Sequence, residues 1–136
     1  MSVGLLLISH EGIGAALLES ARLALGDCPL NTATLSASRD CDPEAMLQKA
    51  TAQMQALDTG AGVLVLTDLY GATPSNIAAR LLERGRVRVV TGMNLPMLIR
   101  LFNYSQLDLD ALADKALSGG RDGVFTVSSA AERPQV

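Results

Sequence analysis

Two kinds of stretch alternate along this chain: unbroken apolar runs, and segments in which apolar residues return every three or four positions. Runs such as Leu5-Leu6-Leu7-Ile8 and Val63-Leu64-Val65-Leu66 are apolar on both faces, as in strands covered by helices on either side, whereas the three-to-four spacing marks amphipathic helices. The first strand is predicted over residues 3–8. Ile13, Leu17, Ala21 and Leu25 then recur at helical spacing until Gly26 offers a stop. A weaker strand over 32–37 precedes Asp42, which caps a helix with Pro43 in its first turn and Met46, Ala50, Met54 and Leu57 on its buried face, ended by Thr59-Gly60. The strongest strand, 62–67, runs to Asp68. Thr73-Pro74 opens a helix with Ile77, Leu81 and Leu82 on its apolar face, and Gly85 is placed to end it. A fourth strand over 87–91 leads through Gly92-Met93-Asn94 into a helix carrying Pro96, Met97, Leu98, Leu101 and Phe102. A last helix over 108–117 stops at Gly119-Gly120, and 123–128 reads as a final short strand.

This alternation predicts an α/β fold: a single doubly wound, mostly parallel sheet of about five strands in the order 2-1-3-4-5, with helices on both faces and the last strand antiparallel at the edge. One domain over 1–128 is expected, with 129–136, which has a proline and no hydrophobic pattern, as a short flexible tail. In 136 residues, 49% hydrophobic residues suffice for one sizeable core.

Composition narrows the function. Acidic and basic residues, 14 and 11, are intermixed for a net charge of -3, which leaves no basic stripe for nucleic acid. Aromatic residues make up only 3% and tryptophan is absent, so stacking platforms for bases or sugars lack material. Cys28 and Cys41 are too far apart for a CxxC redox pair and too few for a thiolate zinc site; they read as reduced residues, and neither metal nor cofactor is expected. No apolar run approaches the roughly 18 residues of a membrane span, and the first run has no charged leader, so a soluble, cytoplasmic protein is expected.

Chemistry concentrates in three strand-to-helix turns at one sheet edge: Ser9-His10-Glu11-Gly12, the Asp68 to Pro74 turn, and Gly92-Met93-Asn94-Leu95-Pro96. His10, the only histidine, is expected in the turn after the first strand, where open α/β sheets hold their ligands. With the first strand between the second and third, His10 and Asp68 come from neighbouring strand ends and can touch. A carboxylate that accepts the Nδ1 proton fixes the tautomer and leaves Nε2 free as a nucleophile. In Gly71-Ala72-Thr73-Pro74, small residues let backbone N–H groups approach a ligand, the helix N-terminus carries partial positive charge, and the hydroxyl of Thr73 or Ser75 adds a donor. Together they suit an anion, with a phosphoryl group the obvious guest. The plainer alternative makes Asp68 a turn residue and Thr-Pro an ordinary helix start.

These motifs resemble the mannose-family EIIA proteins of the bacterial phosphoenolpyruvate-dependent phosphotransferase system. Leu7-Ile8-Ser9-His10, the segment Thr67-Asp68-Leu69-Tyr70-Gly71-Ala72-Thr73-Pro74-Ser75-Asn76, and Thr91-Gly92-Met93-Asn94-Leu95-Pro96-Met97-Leu98 carry the likeness, which extends from residue 1 to about 127. The resemblance implies that His10 accepts a phosphoryl group from the phosphocarrier HPr and passes it to an EIIB partner, with Asp68 orienting His10. It implies that Gly71, Ala72, Thr73 and Ser75 hold the phosphoryl oxygens and that Glu11, Tyr70, Met93 and Asn94 form the rim where partners dock. It also implies a homodimer in which the last strand reaches across, and docking on a membrane permease complex. Two residues depart from the family pattern: Glu11 stands where many relatives have a small residue, and Ala72 replaces a glycine. No EIIB region or Ala/Pro-rich linker follows, so the acceptor is expected on a separate EIIB chain or a regulatory target. The competing readings are an EIIA-like subunit of dihydroxyacetone kinase, a flavodoxin-like module binding FMN or another phosphate, and a Ser-His-Asp hydrolase using Ser9 or Ser75. The hydrolase lacks a G-x-S-x-G elbow.

Overall fold

The computed structural model describes residues 2–128. Its strands are β1 (Gly4–His10), β2 (Thr32–Ala37), β3 (Val63–Thr67) and β4 (Val87–Thr91). Its helices are α1 (Ile13–Leu25), α2 (Pro43–Leu57), α3 (Thr73–Leu81), α4 (Leu95–Asn103) and α5 (Leu109–Asp122). The strands form one parallel sheet in the order β2-β1-β3-β4. Strand alternation divides the core between the two faces. Leu5, Leu7, Leu64 and Leu66 point to one side, where they pack with Ala21 of α1, Met97, Leu98 and Leu101 of α4, and Leu109 and Leu112 of α5. Leu6, Ile8, Val63 and Val65 point to the other, against Met46, Leu47, Ala50 and Met54 of α2 and Ile77 and Leu81 of α3. The central strands are therefore buried on both faces, which is why their sequences show no polar alternation.

Local signals set the helix starts. Asp42 accepts from the Glu44 amide, Asn94 from Met97 and Asp108 from Ala111, each capping its helix with a side-chain oxygen. Proline occupies the first turn of α2, α3 and α4, where its missing N–H costs nothing.

The structure corrects the sequence reading in four places. β1 extends through His10, which pairs with Ala37, so the histidine is the last strand residue and not part of the turn. α3 ends at Leu81, leaving Leu82 about half exposed instead of on the buried face. α5 runs through Gly119-Gly120 to Asp122. These glycines serve helix contact and not termination: a Cβ on Gly119 would lie 2.7 Å from Arg100 Cβ, and one on Gly120 would lie 2.9 Å from Met97 Cε. Among the described residues the sheet has four strands and not five, because 123–128 forms no strand and no antiparallel edge is present. The helix uses the residues that were expected to turn the chain back, and Val124, Phe125 and Val127 are left exposed. The expected tail, 129–136, lies outside the described residues.

Gly4 shows how closely α2 meets the sheet: a Cβ there would stand 2.7 Å from Leu57 Cβ and 2.8 Å from Leu57 O. Gly4→Ala is expected to destabilise the fold by about 1–3 kcal/mol through overpacking against backbone. A lower urea midpoint at unchanged m-value checks this.

Candidate functional site

His10 and Asp68 meet at the carboxyl edge of the sheet because β1 and β3 are hydrogen-bonded neighbours with Ile8 opposite Thr67. Asp68 Oδ2 accepts from the His10 backbone N–H at 3.1 Å and lies 2.8 Å from ring Nδ1. An ionised carboxylate is acceptor-only, so in the neutral ring Nδ1 carries the proton and Nε2 the free lone pair. The imidazole is 46% exposed while the carboxylate is only 10% exposed, so the ring is presented to solvent from a sheltered anchor. Partial burial pushes the Asp68 carboxyl upward, but the hydrogen bonds from the His10 ring and amide outweigh it and hold the group below the usual carboxylate range. Its other oxygen, Oδ1, is buried without a partner among the described residues.

Ser9 fixes the histidine from behind. Its buried hydroxyl donates to the His10 carbonyl at 2.7 Å and accepts from the Gly14 amide at 2.9 Å. That pair of bonds ties the strand end to the first turn of α1, and Gly12 makes the bend between them with φ 85°. The hydroxyl proton is committed to a carbonyl, so Ser9 supports the site and is not a hydrolase nucleophile. The sequence reading weighed Ser9 only as a nucleophile. The signal for its actual role was an inward-facing hydroxyl one residue before the histidine and five before a glycine in a helix start.

The turn into α3 depends on Gly71, whose φ of 87° belongs to the left-handed region, whereas Ala72 at φ -90° needs no glycine. Ser75 Oγ accepts from the Gly71 amide at 2.8 Å and donates to the Ala72 carbonyl at 3.0 Å. Ser75 is buried, and its hydroxyl shapes the turn instead of offering its hydrogen to a ligand. Thr73 is the first helical residue, and the first-turn amides of Thr73 and Ser75 have no acceptor within the helix. A cleft of about 430 Å³ lies between His10-Glu11, Thr73-Pro74 and the β2–α2 connection with Ser38, Arg39 and Cys41. The sequence reading did not include Arg39, because nothing in its spacing marks the loop after β2.

The expected rim divides. Glu11 is exposed, and Tyr70 is 83% exposed beside Leu69 at 59%. Met93 is 7% exposed and belongs to the core on the α1, α4 and α5 side, so it is no docking surface; its amide donates to the Thr67 carbonyl, which pulls the residue under the sheet edge. Asn94 is also a structural residue: Oδ1 caps α4 at Met97, and Nδ2 donates to the Gly120 carbonyl at 3.1 Å. Among the described residues no group of three His, Cys, Asp or Glu side chains could hold a metal ion, and no helix is long and apolar enough to cross a membrane.

A half-exposed strand-end imidazole held by a carboxylate, beside a helix N-terminus, defines an α/β domain that presents a histidine at the carboxyl edge of its sheet. Comparison with known proteins narrows the class. The family model for "PTS system fructose IIA component", the mannose-type EIIA family, matches residues 4–117. The mannose-specific EIIAB component of Escherichia coli is 31% identical over 127 residues, covering 91% of this chain and 39% of that protein. The chain therefore spans about two fifths of that relative's length. The sorbose-specific EIIA component of Lacticaseibacillus casei is 33% identical over 101 residues, 71% of this chain and 70% of that one. Among solved structures, the mannose/sorbose-specific IIA subunit from Enterococcus faecalis superposes with a TM-score of 0.84 at 28% identity, covering 100% of this chain and 99% of that one. The chain belongs to the mannose family of EIIA proteins of the bacterial phosphotransferase system.

Because Asp68 is held below the usual carboxylate range, the unfolded chain takes up its proton first as the pH falls. The His10–Asp68 contact therefore stabilises the fold fully above the ordinary carboxylate range, and the contribution is lost as the pH drops through the depressed pKa of Asp68. Urea unfolding across the acid limb is expected to show a flatter pH dependence in Asp68→Asn than in the unaltered protein.

Proposed function

We propose that His10 Nε2 accepts a phosphoryl group from phospho-HPr and passes it to an EIIB protein or a regulatory target, for sugar uptake or for regulation by the phosphotransferase system. The observation that carries this reading is the 2.8 Å Nδ1–Oδ2 contact, which reserves Nε2 on a half-exposed ring beside the cleft. In the transfer, the bond from phosphorus to the donor imidazole breaks with its electrons staying on the donor ring, and the Nε2 lone pair forms the new P–N bond. Asp68 keeps the Nδ1 proton in place and offsets the positive charge that the ring gains. The Thr73 hydroxyl and the first-turn amides of α3 supply donors for the phosphoryl oxygens, over the bend that Gly71 and Ser75 shape and that Ala72 completes. Glu11 and Tyr70 form the rim that partners meet. No metal or other cofactor takes part in this step, which rests on positioning and charge.

The sheet edge and the 123–128 segment also support a homodimer, in which Val124, Phe125 and Val127 are covered by a second subunit. The setting proposed is cytoplasmic, with docking on a membrane permease complex when the acceptor is there. Mannose and sorbose are named for relatives, and a sugar of that kind is the proposed cargo of the system.

Intact-protein mass after incubation with phosphoenolpyruvate, enzyme I and HPr is expected to show a gain of one phosphoryl group that acid removes. His10→Ala should abolish the gain while leaving the fold intact, and Asp68→Ala should slow it by about 10- to 100-fold. A His10→Ala protein that still gains acid-labile phosphate would sink the assignment.

A further inference from the structure

We infer that Arg39, in the connection after β2, forms a cationic wall of the phosphoryl cleft, engaging the oxygens of the group on His10 and offsetting the charge of Glu11. This deepens the proposed function and rests on it. The strand register places it there. β2 runs parallel to β1 with Ala37 opposite His10, so the chain leaves β2 at the edge from which the imidazole emerges. Arg39 lines the cleft together with His10, Glu11 and Thr73. Its backbone is held on one side by the Cys41 amide donating to the Ser38 carbonyl, and α2 begins just beyond at its Asp42 cap. The loop is therefore placed while the side chain stays exposed.

Charge makes the case stronger. Glu11 follows the histidine and shares its cleft, so a phosphoryl group on Nε2 adds negative charge beside a carboxylate. Among the described residues, Arg22, Arg80, Arg88 and Arg100 each hold a carboxylate; Arg39, Arg84, Arg86 and Arg121 are in no ion pair, and of these Arg39 lines the cleft. A guanidinium presents a planar fork of donors that matches phosphate oxygens, and Arg39 lines the same cleft as Thr73 at the start of α3. In the transfer, charge spreads over the three equatorial oxygens as one P–N bond breaks and the other forms. A cation lining the same cleft as the helix N-terminus stabilises that distribution without taking part in bond making.

The test follows the rate of phosphate gain by intact mass, with phosphoenolpyruvate, enzyme I and HPr, in Arg39→Gln, Arg39→Lys and Arg39→Gln/Glu11→Gln. Arg39→Gln is expected to slow the gain by roughly tenfold, a value set by one charge-assisted contact at an exposed site. Arg39→Lys should recover part of the loss, and removing Glu11 in the Arg39→Gln background should also restore rate, which a purely structural role for Arg39 would not allow. Phosphorylation of Arg39→Gln at the unaltered rate, or equal slowing in all three variants, would overturn the inference and leave the role of His10 standing. Failure of the unaltered protein to gain phosphate would instead overturn the parent reading, and this one with it.

Discussion

One carboxylate oxygen organises this molecule's chemistry. Asp68 Oδ2 receives both the backbone N–H and the ring Nδ1–H of His10, so the residue is held at its main chain and at its side chain by the same atom. The arrangement requires β1 and β3 to be adjacent and parallel, with their carboxyl ends in register. That in turn requires helices to cover both sides of the sheet, since parallel neighbours are joined by crossovers. The two-sided core is thus the condition for the site, and the unbroken apolar sequences of β1 and β3 are the trace it leaves in the chain.

The supporting polar groups follow the same logic. Ser9 and Ser75 are both buried, and each hydroxyl links a turn to the start of a helix. Neither offers its hydrogen to a ligand, because each donates to a carbonyl. Asn94 does comparable work at the third turn, joining the start of α4 to the Gly120 carbonyl in α5. The edge of the sheet is stiffened by side chains whose types, Ser and Asn, also suit ligand contact. Residue type alone does not separate the two roles.

That ambiguity explains what was legible in the sequence. The α/β class, the strand order through β4 and the His10–Asp68 pair could be read because they depend on periodicity and on adjacency in a parallel sheet. Met93 was placed on the rim by the family resemblance, whereas its amide bond to Thr67 draws the side chain beneath the sheet edge. Gly119-Gly120 was read as a stop because glycine often ends helices, but here it lets α5 approach Arg100 and Met97 of α4. The expected fifth strand, 123–128, follows the longer α5 directly and pairs with no strand of the sheet. Arg39 carries no periodic or motif signal, and its place in the cleft emerges only from the register of β2 against β1.

The hydroxyl of Ser9 joins the His10 carbonyl to the amide of Gly14, which makes the last residue of β1 and the first turn of α1 a single stiff joint. With its main chain clamped there and at Asp68, the histidine retains almost no conformational search of its own. Its aim is a property of the unbound molecule, established before any encounter. The entropy of aligning that group has already been spent in folding.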